Sequence, residues 1–262
     1  IIVHPEIRKN LMLMKSVNDG IRGLMLKAGN AFDIIDSNQT SKLTQTSENL
    51  IALLTPILKS FATDKALEIT NNALQVYGGH GYITDHGMEQ LVRDARILPI
   101  YEGTNGIQAL DLIGRKFNIH EGQIINEYLS EIEEFLISIN DDQNMIKFIK
   151  LFKPSFIDLK DCVNFIKEID INNTKEINSH AMDFLNIFAL VAVGYTWLHF
   201  IKISQDKIKK KDDIFYLSKI QLGEFFMTKV IFETKKYKNN IYSSGNLFNQ
   251  FSDNYFETGS YQ

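Results

Sequence analysis

The chain has 262 residues, 44% of them apolar and 23% charged, which gives it material for one large or two modest globular domains and excludes a small disulfide-stapled scaffold. Lys and Arg number 28 against 32 Asp and Glu, for a net charge of −4; divided at residue 120, the chain carries 12 basic and 12 acidic residues before it and 16 and 20 after it, so neither half is a basic nucleic-acid arm. The single cysteine, Cys162, can form no internal disulfide and has no companion at metal-ligand spacing, which favours a reducing, cytoplasmic setting and a core role for that thiol.

Ile1 to Arg8 does not have the pattern of a signal peptide, and an initial Ile rather than Met fits a piece of a longer protein. Apolar spacing of three and four predicts helix almost everywhere, no run of period-two alternation predicts a strand, and only four prolines interrupt, so the expected fold class is all-α. A first long helix runs from Leu11 to Ile34 through Leu13, Val17, Ile21, Leu24 and Ala28. After a Ser/Thr/Asn-rich stretch at Ser37 to Ser47, a second carries Leu50, Leu54, Ile57 and Leu58 past Pro56. Thr63 then stands as the N-cap of a third, whose face Ala66, Ile69, Ala73, Leu74 and Tyr77 ends at Gly78-Gly79. Short helices through Met88, Leu91, Val92 and Ala95 and through Ile107, Leu110, Leu112 and Ile113 complete a bundle over residues 1–118.

Residues 119–262 are expected to form a second helical domain, with patterns at Ile124 to Ile139, Met145 to Phe152, Phe156 to Ile169, Ala181 to Ile203 and Phe215 to Thr234. All five arginines lie before residue 116 and every later basic residue is lysine. Phe184 to Ile203 approaches the span of a membrane helix, but Asn186, Thr196, His199 and Lys202 interrupt it, which suits a buried bundle helix better. Lys209-Lys210-Lys211, flanked by Asp206, Asp212 and Asp213, looks like a solvated connector, and Ser243 to Gln262 like a polar tail ordered only by packing.

Chemistry concentrates between Gln75 and Gln108, where glycine clusters at Gly78-Gly79-His80-Gly81, Gly87, and Gly103 with Gly106 punctuate the helices. Tyr101-Glu102-Gly103-Thr104-Asn105-Gly106 sets a carboxylate just before a helix start, where free N–H groups favour anions, and makes Glu102 a candidate base. The alternative is that Thr104 or Asn105 caps the helix and Glu102 is a surface acid that compensates the dipole. His80 and His86 lack metal spacing, so no metal site is expected, and Arg93 with Asp94 are read as a structural pair that holds the Glu102 loop.

Taken in order and spacing, Gln75-Val76-Tyr77-Gly78-Gly79-His80-Gly81-Tyr82, Arg93-Asp94-Ala95-Arg96 and Tyr101-Glu102-Gly103-Thr104-Asn105 resemble the C-terminal domain of the acyl-CoA dehydrogenases. The resemblance extends upstream to His4-Pro5-Glu6-Ile7-Arg8, like the branch with an extra C-terminal helical domain, and more weakly downstream to Phe184 to Trp197 and Phe215 to Phe226. It implies α,β-dehydrogenation of an acyl-CoA thioester by an FAD enzyme. In that family the loop carboxylate, here Glu102, takes the α-proton while the β-hydrogen leaves as hydride to the flavin. Gly103 lets the thioester approach, and Tyr101 either lines the acyl pocket or packs. Gln75, Gly78 and Gly79 are implied to meet the FAD of a neighbouring subunit and Thr104 the adenosine portion. Gly106, where many members carry Gln, weakens that last contact.

Implied partners are acyl-CoA, an electron-transfer flavoprotein or other acceptor, further copies in a homo-oligomer, and a separate chain supplying the family's N-terminal helical and middle β-domains, which residues 1–262 do not contain. The isolated chain is accordingly expected to be inactive. The rival reading is a non-catalytic helical remnant or interaction module.

Overall fold

A computed structural model describes residues 1–37, 40–208, 213–243 and 247–256. It is 87% helical, with no strand among the described residues, as the periodicity predicts. The Lys209–Lys211 connector and parts of the tail, 244–246 and 257–262, lie outside the described residues.

Helix α1 (Pro5–Asp36) begins six residues before the predicted Leu11, with Pro5 in the first turn, where its missing N–H costs no hydrogen bond. Helix α2 (Ser41–Tyr77) corrects the sequence reading, because it joins two predicted helices into one of 37 residues. Pro56 stays inside it. An interior proline costs about 3 kcal/mol, and burial of Leu53, Leu54, Ile57 and Phe61 on either side of it outweighs that cost. Thr63 is therefore no N-cap, and its hydroxyl donates back to the Lys59 carbonyl at 2.7 Å.

Gly78 ends α2 with φ +62, and the chain folds back in a short turn, α3 (Gly79–Tyr82). Gly81 packs so close there that a Cβ would lie 2.7 Å from Tyr77 Cβ and 2.8 Å from the Leu74 carbonyl. Then follow α4 (Met88–Ile97) and α5 (Asn105–Leu110), the latter extended by a π-helical turn through Arg115. His120, Glu121 and Gly122, all at positive φ, turn the chain into α6 (Gln123–Ser138).

Helix α7 (Ile146–Glu168) likewise runs through Pro154 where two helices were predicted, held by buried Phe152, Ser155 and Phe156. A short α8 (Thr174–Ser179), too brief to show a period, precedes α9 (Ala181–Ile208). After α10 (Ile214–Phe225) a π-turn and a 3₁₀ turn lead into α11 (Thr234–Ser243), followed by a helical turn at Leu247–Gln250 and a 3₁₀ turn at Asp253–Phe256.

Helix α9 is apolar on every side and forms the axis of the molecule. By length and composition it could cross a membrane, but 83% of its most apolar window is buried within the protein, with Phe184, Phe188, Trp197 and Ile201 enclosed completely. Helices α1, α2, α7, α10 and α11 pack around it, and Tyr128 of α6 stacks on Phe188. Helix α1 approaches it closely. At Gly20 a Cβ would fall 2.6 Å from Trp197 Nε1, and that indole N–H donates to the Ser16 carbonyl at 3.1 Å. One continuous apolar core thus runs from Val17 and Leu53 through α9 to Ile241, and Cys162 sits fully inside it.

Candidate functional site

The loop between α4 and α5 leaves helical geometry at Tyr101, whose N–H still bonds the Ile97 carbonyl at 3.2 Å. Glu102 and Gly103 then take left-handed conformations, φ +57 and φ +80. A non-glycine residue in that region is uncommon and persists where its surroundings hold it. Here the surroundings are specific. The Asn105 N–H donates to the Pro99 carbonyl at 3.0 Å and closes the loop on itself, while Gln108 Nε2 donates to the Glu102 carbonyl at 3.1 Å.

The loop is also fastened to the middle of α2. Asn105 is buried, and its amide nitrogen donates to the Ser60 carbonyl at 3.1 Å, Thr63 Oγ1 at 3.0 Å and Asp64 Oδ1 at 2.7 Å. Lys59 Nζ donates to Asn105 Oδ1 at 2.9 Å and to the Gly103 carbonyl at 2.7 Å. Burial pushes the Asp64 carboxyl above its ordinary value, against the Asn105 hydrogen bond and the nearby Lys59, Lys65 and Arg96 charges that pull it down.

The fastening leaves the tip of the loop free. Tyr101, Glu102, Gly103 and Thr104 are all exposed, and among the described residues no hydrogen bond or ion pair engages the Glu102 carboxylate. Thr104 caps α5 by accepting from the Ile107 N–H at 3.4 Å, which leaves its hydroxyl proton available to a partner. Apolar side chains cluster in the sequence around this tip, with Ile97, Ile100 and Ile107 each about half exposed.

Gln75, Gly78 and Gly79 are exposed too, but at the far end of α2. From Asp64 to Gly78 the helix rises by roughly 21 Å at about 1.5 Å per residue, so the chain does not bring these three residues to Glu102. Apart from the adjoining backbone, no atom of the described residues lies within 4 Å of where a Cβ would stand on Gly78 or Gly79, so their backbone is open to an approaching ligand.

Two assignments need correction or completion. Arg93 does not hold the Glu102 loop: its guanidinium reaches back one turn to Glu89, with Nε 2.7 Å from Oε2, on the outer face of α4. The groups that hold the loop, Lys59, Ser60, Thr63 and Asp64, were missed. Their signal is a polar stripe at helical spacing within the apolar run of α2, which the division of that helix at Thr63 concealed. His80 and His86 meet only edge to face, ring centres 5.3 Å apart, and among the described residues no group of His, Cys, Asp or Glu could hold a metal.

Residues 1–117 match the family model described as acyl-CoA dehydrogenase, C-terminal domain, and residues 128–250 the one described as acetyl-CoA dehydrogenase C-terminal like. The 3-methylmercaptopropionyl-CoA dehydrogenase of Ruegeria pomeroyi is 40% identical over 116 residues, 44% of this chain and 20% of its own length. A butyryl-CoA dehydrogenase of Syntrophomonas wolfei is 23% identical over 236 residues, 88% of this chain and 38% of its own. The chain therefore spans well under half the length of these relatives. Among solved structures, an acyl-CoA dehydrogenase complexed with FAD from Bacillus anthracis superposes with a TM-score of 0.70 at 15% identity, over 91% of this chain and 42% of that one. Caenorhabditis elegans ACDH-11 in complex with C11-CoA gives 0.69 at 18% identity, over 92% and 40%. At these identities the structural likeness establishes a shared helical fold.

Proposed function

Since this chain belongs to the acyl-CoA dehydrogenase family, of which it is the C-terminal helical region, we propose that it supplies the α-proton base of an FAD-dependent acyl-CoA dehydrogenase. The base is Glu102, and the family's N-terminal and middle domains complete the enzyme. The observation that carries this reading is the Glu102-Gly103 turn, left-handed at both residues and fastened to α2 behind, with a carboxylate that no hydrogen bond or ion pair engages among the described residues.

An α-carbon proton needs a fixed acceptor, and a carboxylate held by its backbone provides one without a flexible stem to order on binding. The N-terminal and middle domains would cover the exposed loop and its apolar surroundings, excluding water from the proton transfer. Main-chain N–H of Glu102 is the donor for the thioester oxygen, where negative charge develops as the proton leaves. Tyr101 and Gly103 flank that position, Gly103 by leaving space for the thioester.

FAD, when bound, supplies the acceptor for the β-hydrogen as hydride. The open backbone at Gly78 and Gly79 and the exposed Gln75 fit one edge of such a ligand, and Thr104 retains a hydroxyl donor. Their separation from Glu102 supports a homo-oligomer in which one copy's Gln75 to Gly79 corner meets the cofactor serving another copy's Glu102. An electron-transfer flavoprotein or another acceptor would reoxidise the assembly.

The test is co-expression with a chain carrying the N-terminal and middle domains, followed by flavin absorbance and its bleaching by acyl-CoA. The isolated chain should retain no stoichiometric FAD. In the assembly Glu102→Gln should preserve ligand binding while kcat falls by ~10²–10⁴, the usual worth of a general base. Near-normal flavin reduction by that variant, or a larger loss from Asp94→Asn, would show the base to be misassigned and favour a non-catalytic helical module.

A further inference from the structure

Lys59 has no part in the chemistry above, yet its ammonium is the only group that touches both the backbone of the base turn and the side chain that anchors it, among the described residues. It reaches from the middle of α2 to the Gly103 carbonyl at 2.7 Å and to Asn105 Oδ1 at 2.9 Å. On the other side of Asn105, one turn further along α2, Asp64 Oδ1 accepts from the amide nitrogen at 2.7 Å. The Asn105 amide is thus clamped between a cation at its oxygen and an anion at its nitrogen. That arrangement fixes which way the amide faces, because the reverse would set like polarity against each charge.

We infer that Lys59 is a positioning residue for Glu102: its ammonium latches the left-handed Glu102-Gly103 turn to α2 by binding the Gly103 carbonyl and, through Asn105, the start of α5. A left-handed glutamate followed by a left-handed glycine has several relaxed alternatives, and most of them rotate the Gly103 peptide and turn its carbonyl away from α2. A charge-assisted hydrogen bond to that carbonyl selects against them. A neutral side chain of similar length fills the space without making the selection, so charge and reach are both required.

This role rests on the reading of Glu102 as the base, but the latch itself can be observed without catalysis. Hydrogen exchange on the 262-residue chain, comparing wild type, Lys59→Met and Lys59→Arg, reads the loop directly. Met should speed exchange of the Tyr101 and Asn105 amides, which are hydrogen-bonded to the Ile97 and Pro99 carbonyls, by roughly tenfold or more, as expected for losing one charge-assisted hydrogen bond, while the rest of α2 keeps its protection. Arg, which restores the cation, should recover most of it. In the assembled enzyme Lys59→Met should lower kcat by ~10²-fold, the effect of about 1 Å of misplacement, with little change in KM, and Arg should rescue turnover. Unchanged loop protection in Lys59→Met overturns the latch, as does a general loss of protection across α2 and α5. A loosened loop in an enzyme indifferent to Glu102→Gln confirms the latch and overturns the reading of the base instead.

Discussion

Asn105→Ala probes the same anchor through stability. The substitution removes three donated hydrogen bonds and the acceptor used by Lys59 and Thr63, but the losses are unequal. Thr63 keeps its bond to the Lys59 carbonyl, so the cost falls mainly on Asp64, a half-buried carboxylate deprived of its 2.7 Å donor, and on Lys59. Hydrogen bonds to charged groups are worth about 1.5–3 kcal/mol each; with Asp64 only half-buried and three cations still nearby, a total loss of about 2–3 kcal/mol is expected. Spread over a chain of this size, that lowers the thermal midpoint by roughly 4–10 °C. The pH dependence gives a second check. The folded Asp64 pKa is raised above 3.8, chiefly by burial, so its contribution to stability is full below 3.8 and is lost as pH rises through the folded value. Without the Asn105 bond that opposes the rise, the folded value climbs further and the loss deepens towards neutrality. Urea titrations should therefore show the variant closest to wild type in acid and furthest from it near neutral pH. A loss below about 0.5 kcal/mol, or a gap that widens in acid, would refute this account of the anchor.

Other parts of the structure make independent predictions. Gly20→Ala should destabilise, because the new methyl meets Trp197 and Val193 at 2.6 Å; overpacking of about 1–3 kcal/mol exceeds the helix propensity gained, about 1 kcal/mol. Gly29→Ala, on the same helix with nothing within 4 Å, should stabilise by about 0.5–1 kcal/mol, and equal effects at the two sites in paired denaturation curves would contradict the packing described for α1. Burial pushes the Cys162 thiol up to about 12, so a disulfide reagent at about pH 8 should leave the folded protein unmodified and label one thiol once it unfolds. Rapid labelling of native protein would place that thiol outside the core.

The all-α class and the course of α1 and α6 are legible because each of these helices carries an unbroken apolar period, and α9 is recognisable as a buried axis because its apolar residues surround it. What misleads is local chemistry overruled by packing. Pro56 and Pro154 suggest helix breaks, but buried neighbours carry both helices through, and Thr63 looks like a cap although it lies mid-helix with its hydroxyl turned inward. At the site, Tyr101 to Thr104 stand in one contiguous motif that the sequence displays whole. Its support comes from Lys59 and Asp64, more than 35 residues away, and only the packing of α2 against α5 brings them there.

Helix α2 also explains why so much of the proposed site chemistry lies in one chain without meeting there. A rigid rod fastens the Glu102 loop at Lys59 to Asp64 and presents Gln75, Gly78 and Gly79 at its end, roughly 21 Å beyond, too far for one ligand ring to touch both. If each end serves a site completed by other domains or another copy, shortening the rod should disturb assembly without altering the loop. Deleting a full turn and a half-turn of α2 between Asp64 and Gln75 separates two causes. Four residues nearly preserve the face of the helix but draw the Gly78 corner inward by about 6 Å, and two residues rotate it by about 200°. If the end of α2 docks on a cofactor held elsewhere, both deletions should abolish FAD retention in the assembled enzyme while the exchange protection of the Tyr101 and Asn105 amides survives in the four-residue deletion. Retention of FAD by either deletion would show that Gln75, Gly78 and Gly79 only terminate the helix.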